Sequence, residues 1–503
     1  MKKQLFFLAL MTLAVFYFLP SCNNSSSTEK KPADAKVTDI PATTRSPEAL
    51  AAFKEALSFY DLNDIKNART AFSKAIELDP KFGLAYLLRA NTSQSAKEYA
   101  DNIASGKANI DSASNWEKMF ADYMSTNLTG DRNKGLDILQ KIAAAYPDAA
   151  RAQVDLGNAY SGNNQFDKAR EAFTRAVQLD PNWVGGYAFL AGSYLFNEPK
   201  DLKKAEENAM KIVSMAPKSP GAEISLGDVY RAQNDFQKAK DAYTKAIQLN
   251  ADGPEAYYKL GHSNIYLGNF EEARKNYADG GMHDASKSGP VLNTAYTYLF
   301  AGDTKAADKY LLDEIAKMNA SGASKESMAN DLNTMLTTLG AIAVHTGDAA
   351  LLKQIEPMIR STSDQVTKDL GNTAEVKVFG AADSLRWQAM IALAEGKMDE
   401  AKAKLEAMKT TLDPIKDDRK LEGYHADMGL VSLKEKNYKD AIAHFEKADP
   451  NSIYNKYLLA KANEAAGNKE NALALYKEVA AYNFNDVGNA LVRSEVKKKL
   501  ATP

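Results

Sequence analysis

An all-α fold of paired helices is the reading this sequence supports, and three observations carry it. Between Ala150 and Pro181 two amphipathic stretches face each other across the turn Ser161-Gly162-Asn163-Asn164. Leu156, Gly157 and Tyr160 share one stripe of the first, and Ala169, Phe173, Ala176 and Val177 share one of the second, which is the spacing of an apolar helix face. The pattern also recurs at a fixed stride: the alanines at 205, 239, 273 and 307 stand 34 residues apart. Finally, the unit has chemical boundaries. Asp167 marks the start of its second helix, and Pro181 closes it because proline cannot continue a helix. Small residues at Gly157, Ala169 and Ala176 let the two backbones approach, while Tyr160 and Phe173 fill the space between them.

Leu156, Gly157, Tyr160, Ala169, Phe173, Ala176 and Pro181 reproduce the L-G-x-x-Y then A, F, P fingerprint of a 34-residue unit. In this the chain resembles the tetratricopeptide repeat, lacking only the leading Trp. The resemblance implies an α-α superhelix of about 11–12 helical hairpins with a C-terminal capping helix, its inner groove lined by the first helix of each pair.

In chain order, Lys2 and Lys3 precede an apolar run from Leu5 to Leu19 that only Thr12 interrupts, the charged and apolar regions of a secretory signal over residues 1–21. Fifteen residues fall short of the roughly 20 that a bilayer-crossing helix needs. The run ends at Leu19-Pro20-Ser21-Cys22, which is similar to the bacterial lipobox; the resemblance implies cleavage after Ser21 and a lipid on Cys22. A plain signal peptide with a chance cysteine is the alternative. The only cysteine of the chain lies where the lipobox needs it, which favours the lipid anchor. Residues 22–46 are rich in Asn, Ser, Thr, Lys, Pro and Ala and bury too little to order themselves, so they read as a flexible tether. Asn23 is not the Asp that retains some lipoproteins at the inner membrane, and the expectation leans to the outer membrane.

Ser46-Pro47-Glu48 then opens the first helix as an N-cap followed by proline in the first turn. Residues 47–311 hold an N-terminal array. Its marker positions include Ala68 and Phe72, Leu190 and Ala205, Leu226, Gly227, Ala239 and Tyr243, and Gly261, Ala273 and Tyr277. Between Asn91 and Asn115 the fingerprint lapses, with helices expected to continue in altered packing. The inter-helix turn at Asn197-Glu198-Pro199 is longer than its counterparts. Residues 312–378 are degenerate repeats or a lobe boundary, with polar Ser361 to Thr373 as a candidate loop. Residues 379–484 form a C-terminal array marked by Ala401, Gly429, Ala441, Phe445, Ala472 and Tyr476. Residues 485–503 are read as the capping helix and tail, with Ala490, Leu491 and Val496 turned inward.

The net charge of −2, or −4 once the signal leaves, offers no basic stripe for nucleic acid. His262, His283, His345, His425 and His444 never pair at i+3 or i+4 and lack cysteine partners, so no zinc spacing is present. No nucleophile elbow, phosphate loop or dinucleotide-binding glycine pattern occurs. No catalytic residue, metal or cofactor is therefore assigned, and the chain is not read as an enzyme.

What the repeat resemblance implies is a groove for a protein or peptide. Its groove places (second, fifth, ninth and twelfth of each unit) carry Arg151, Asn158, Asp228, Arg231, Glu255, Tyr258 and His262. A solvated helix face has the same composition. The function expected is that of a lipid-anchored protein-interaction scaffold in the bacterial cell envelope, with its body in the periplasm or at the cell surface. The alternative is a surface glycan-capturing lipoprotein, invited by 24 tyrosines but opposed by the use of Tyr160, Tyr194, Tyr230, Tyr243 and Tyr277 as repeat residues.

Overall fold

The computed structural model describes residues 41–61, 64–284 and 286–501; the signal segment and Cys22 lie outside the described residues. Among the described residues there are 25 α-helices and no strand, arranged as hairpins followed by one terminal helix. Those up to Ala256 form one compact unit and those from Tyr257 another. None of these helices is long and apolar enough to cross a membrane.

The N-terminal unit stacks six hairpins: Pro47–Tyr60 with Ile65–Leu78, Gly83–Ala90 with Ala96–Ala108, Asn115–Thr129 with Arg132–Ala145, Ala150–Gly162 with Phe166–Leu179, Val184–Phe196 with Leu202–Met215, and Pro220–Ala232 with Phe236–Leu249. Their starts are set by local chemistry. Ser46 Oγ accepts the Ala49 N–H, with Pro47 in the first turn. Asp64, Asp131, Asp201 and Asp235 each cap a second helix by accepting a backbone N–H three residues on, an interaction that contributes about 1 kcal/mol. Thr43, near the end of the stretch read as tether, is already held. Its N–H and hydroxyl donate to the Glu117 carboxylate at 2.8 and 2.6 Å.

In four hairpins an aromatic ring of the second helix packs against a glycine of the first. A Cβ added to Gly157 would come within 3.0 Å of the Phe173 ring, and the same holds for Gly227 on Tyr243, Gly261 on Tyr277 and Gly429 on Phe445. The marker alanines 169, 205, 239, 273 and 307 are all 0% exposed. Tyr160, Tyr194 and Tyr230, expected in the core, are instead half-buried. Lys168, Lys204 and Lys238, each just ahead of a marker alanine, hold their ammonium groups over these rings at 5.2–5.5 Å.

The C-terminal unit begins within the helix Pro254–Tyr266, which pairs with Phe270–Gly281. Ser288–Phe300 with Thr304–Ala320, Lys325–Thr346 with Ala349–Asp369, Ala374–Ala394 with Met398–Thr411, Glu422–Lys434 with Tyr438–Phe445, and Ile453–Ala465 with Lys469–Ala481 complete the stack. Across residues 312–378 the fingerprint fades because the helices lengthen and the contact changes partners, not because the hairpins stop. There the Trp387 ring lies on Gly340, joining the first helices of successive hairpins. Ser361 to Asp369, read as a candidate loop, is helical. Buried Val366 and Thr367 anchor that extra length.

The final helix, Val487–Ala501, covers the last hairpin with Ala490, Leu491 and Val496 buried. It also reaches the start of its own unit. Asn489 Nδ2 donates to Tyr266 OH at 3.2 Å, Asn485 Nδ2 to Asn293 Oδ1 at 3.0 Å, and Arg493 lies 4.7 Å over the Tyr266 ring.

Replacing Ala169 or Ala239 by Leu should overpack a closed helix junction and cost about 1–3 kcal/mol. Thermal melting of both variants checks this; melting unchanged from the parent would place these positions outside the core.

Candidate functional site

Polar residues from three hairpins of the N-terminal unit meet in one place. Asp61 caps the end of Pro47–Tyr60. Its Oδ2 accepts the Trp183 indole N–H at 3.0 Å and pairs with the Arg151 guanidinium, although these partners lie 122 and 90 positions further on. Arg151 also stands 4.8 Å over the Trp183 ring. One loop-proximal carboxylate thus ties together the first, fourth and fifth hairpins.

One turn beyond Arg151 on the same helix is the half-buried Asp155, whose charged neighbours are Arg151 and Asp61. Burial pushes its pKa up to about 7, with the nearby Asp61 charge adding to the rise and Arg151 opposing it. Tyr60 borders this carboxylate; burial raises its hydroxyl, Arg151 opposes, and Asp155 adds. Tyr123, on Asn115–Thr129, borders it from another side. Burial and then the Asp155 charge push its hydroxyl up to about 12. Asn127 Nδ2 donates to Tyr99 OH at 3.2 Å, extending the network to the second hairpin. The outcome is two carboxylates served by one guanidinium, walled by tyrosines and a tryptophan. Chemically, that is a receptor for a positive charge, through carboxylate pairing and cation–π contact.

Of the residues expected in a groove, Arg151 belongs to this cluster, and Asn158 is half-buried one turn beyond Asp155 on the same helix. Asp228 and Arg231 come together elsewhere in the N-terminal unit, as a buried ion pair at 2.9 Å. Tyr243 OH donates to Asp228 Oδ1 at 2.7 Å, so the second helix of the hairpin holds that pair from behind. Glu255 is half-buried at the end of this unit. In the C-terminal unit Tyr258 OH donates to Asp284 at 2.8 Å, and His262 Nε2 lies 3.1 Å from Asn293 Oδ1. Sequence reasoning missed Tyr60, Asp61, Tyr99, Tyr123, Asn127, Asp155 and Trp183. Tyr60, Asp61 and Trp183 sit at helix ends and in the turn between hairpins, where the fingerprint is silent. Asp155 stands one place past a groove position. Among the described residues no group of three or more His, Cys, Asp or Glu side chains is arranged to hold a metal.

Four stretches match models of the tetratricopeptide repeat: residues 48–115, 150–183 and 254–279, with 227–265 matching a model described as a TPR repeat. The chain therefore carries tetratricopeptide repeats, a protein-interaction scaffold fold. Among solved structures it is similar to TTC0263, a thermophilic TPR protein of Thermus thermophilus, at 19% identity over 37% of this chain and 99% of that one, with a TM-score of 0.33. The APC/C hetero-tetramer Cut9–Hcn1 is similar at 15% identity, over 86% of this chain and 76% of that one, with a TM-score of 0.39. YrrB, described as a TPR protein with an unusual peptide-binding site, is similar at 20% identity over 35% and 91%, with a TM-score of 0.26. No curated protein matches this sequence.

Asp155 carries a pH signature. Its folded pKa lies near 7, against an ordinary value of 3.8, so between these values the folded chain holds a proton that the unfolded chain releases. Stability from this group is therefore lost as pH rises across that window. Asp155→Asn should melt above the parent by a larger margin at pH 8 than at pH 5. Equal margins at the two pH values would mean that the carboxylate is solvated.

Proposed function

We propose that this chain is a lipid-anchored scaffold of the bacterial cell envelope, and that the cluster in its N-terminal unit binds an extended segment of a partner protein through a basic side chain. The observation that carries this is Asp155, a half-buried carboxylate near Tyr60 and Tyr123 whose one cationic neighbour, Arg151, is already paired with Asp61. A lysine or arginine seated there would favour the ionised carboxylate and meet aromatic faces. Asn158 extends the same helix face beyond it. Attachment through Cys22 rests on the lipobox pattern alone. In this reading the acyl chains and the tether keep the scaffold at the membrane, with the outer membrane favoured, while the repeats choose the partner for assembly, secretion or maintenance of envelope complexes.

The cluster offers no step of bond making, and the role proposed is non-catalytic. Glycan capture needs exposed aromatic platforms. Tyr243, Tyr277, Tyr457 and Tyr476 are spent inside the fold instead, at 0–3% exposure.

Two measurements check the proposal. Cys22→Ser should move the protein from the membrane fraction to the soluble fraction of fractionated cells; retention in the membrane fraction would remove the anchor. A photo-crosslinking residue at position 158 should give a defined protein adduct in cells that Asp155→Ala or Trp183→Ala reduces at least tenfold. An adduct insensitive to both changes, or a polysaccharide-array signal in its place, would overturn the peptide reading.

A further inference from the structure

In the C-terminal unit the hairpin of Glu422–Lys434 and Tyr438–Phe445 brings two imidazoles face to face. His425 Nδ1 and His444 Nδ1 are 3.0 Å apart, with ring centres at 5.2 Å and planes inclined by 41°. At that separation one nitrogen carries the proton and the other presents its lone pair, so the two Nδ1 atoms already face each other. Both rings are half-buried.

We propose that His425 and His444 form a bidentate imidazole site for a divalent transition metal of tetragonal preference, Cu(II) above all. Two metal–nitrogen bonds of about 2.0–2.1 Å meeting at a right angle place the nitrogens about 2.9 Å apart, whereas a tetrahedral angle places them about 3.4 Å apart. The observed 3.0 Å lies at the right-angle end. Imidazole suits copper, nickel and zinc, and copper binds a given nitrogen site most tightly of the three. The ion would sit to one side of the line joining the two Nδ1 atoms. The ring that now carries hydrogen on Nδ1 would hold it on Nε2 instead, so the change is one of tautomer and releases no net proton. Water completes the coordination shell.

The charges around the pair are balanced in sign. Asp440, one turn ahead of His444 on its own helix, and Glu406, which accepts the Tyr424 hydroxyl, face His444 as anions; Lys447 and Lys409 face it as cations. Tyr424 walls the pair, its ring centre 5.2 Å from His425 and 6.2 Å from His444.

The test uses the untagged full chain carrying Cys22→Ser, so that its thiol does not compete. The protein is titrated with Cu(II) in a weakly coordinating buffer and followed by visible absorption and electron paramagnetic resonance. One copper per chain is expected, with nitrogen hyperfine structure. His425→Ala and His444→Ala should each lower the affinity at least tenfold, and the double variant should fall little further than either alone. His262→Ala and His283→Ala should change nothing. If an alanine variant loses helical signal, His425→Gln and His444→Gln give the same readout. Copper binding that survives both substitutions, or the lack of a saturable one-to-one phase in the parent, would overturn the proposal.

Discussion

The contact that closes the most regular hairpins is an aromatic ring resting on a glycine backbone. Phe173 on Gly157, Tyr243 on Gly227, Tyr277 on Gly261 and Phe445 on Gly429 are the same contact made four times. It sets how closely two helices approach. Only the hydrogen on the glycine Cα leaves room for the ring, and only the ring fills the room that the missing side chain creates. Burying such a ring contributes roughly 1.5–3 kcal/mol, and the alanines above and below it close the junction without adding bulk. A hairpin built this way still has an apolar face on each side, which only its neighbours cover. Stability is therefore a sum of successive local interfaces, and the hairpins of the N-terminal unit follow one another at a nearly constant stride.

Once the stride is fixed, the ends of the first helices have no freedom left, and this is what assembles the polar cluster. Asp61, Arg151 and Trp183 belong to three different hairpins and meet only because the intervening helices hold their spacing. A carboxylate paired with a guanidinium and an indole N–H is satisfied there. Asp155 is left over, with a negative neighbour and a guanidinium already committed elsewhere. The fold thus holds a half-buried carboxylate that would gain from an incoming positive charge, which is the property the proposed site rests on.

The paired-helix architecture was legible in the sequence because its determinants are local. Stripe, cap and stride all fall within 34 residues, and the hairpins with ring and glycine in register were read at the right places. The difficulty came where packing replaced local pattern. Gly340 and Trp387 make the same kind of contact between hairpins rather than within one, so no repeat spacing reveals it. The polar stretch from Ser361 to Asp369 looked like a loop because only Val366 and Thr367 turn inward. The candidate site was less legible still. Arg151 could be found from its place in the repeat, whereas Asp61 meets Arg151 and Trp183 across 90 and 122 positions. His425 and His444 meet across a hairpin turn, at a separation that no helical spacing marks.

The most direct test of the central contact is amide hydrogen exchange of Gly227→Ala, read peptide by peptide. If the ring on the glycine fixes this hairpin and its neighbours cover the rest, protection should fall in the helices Pro220–Ala232 and Phe236–Leu249, fade through the preceding hairpin, and match the parent at Pro47–Leu78. Unchanged protection in residues 220–249, or an equal loss along the whole chain, would contradict the account.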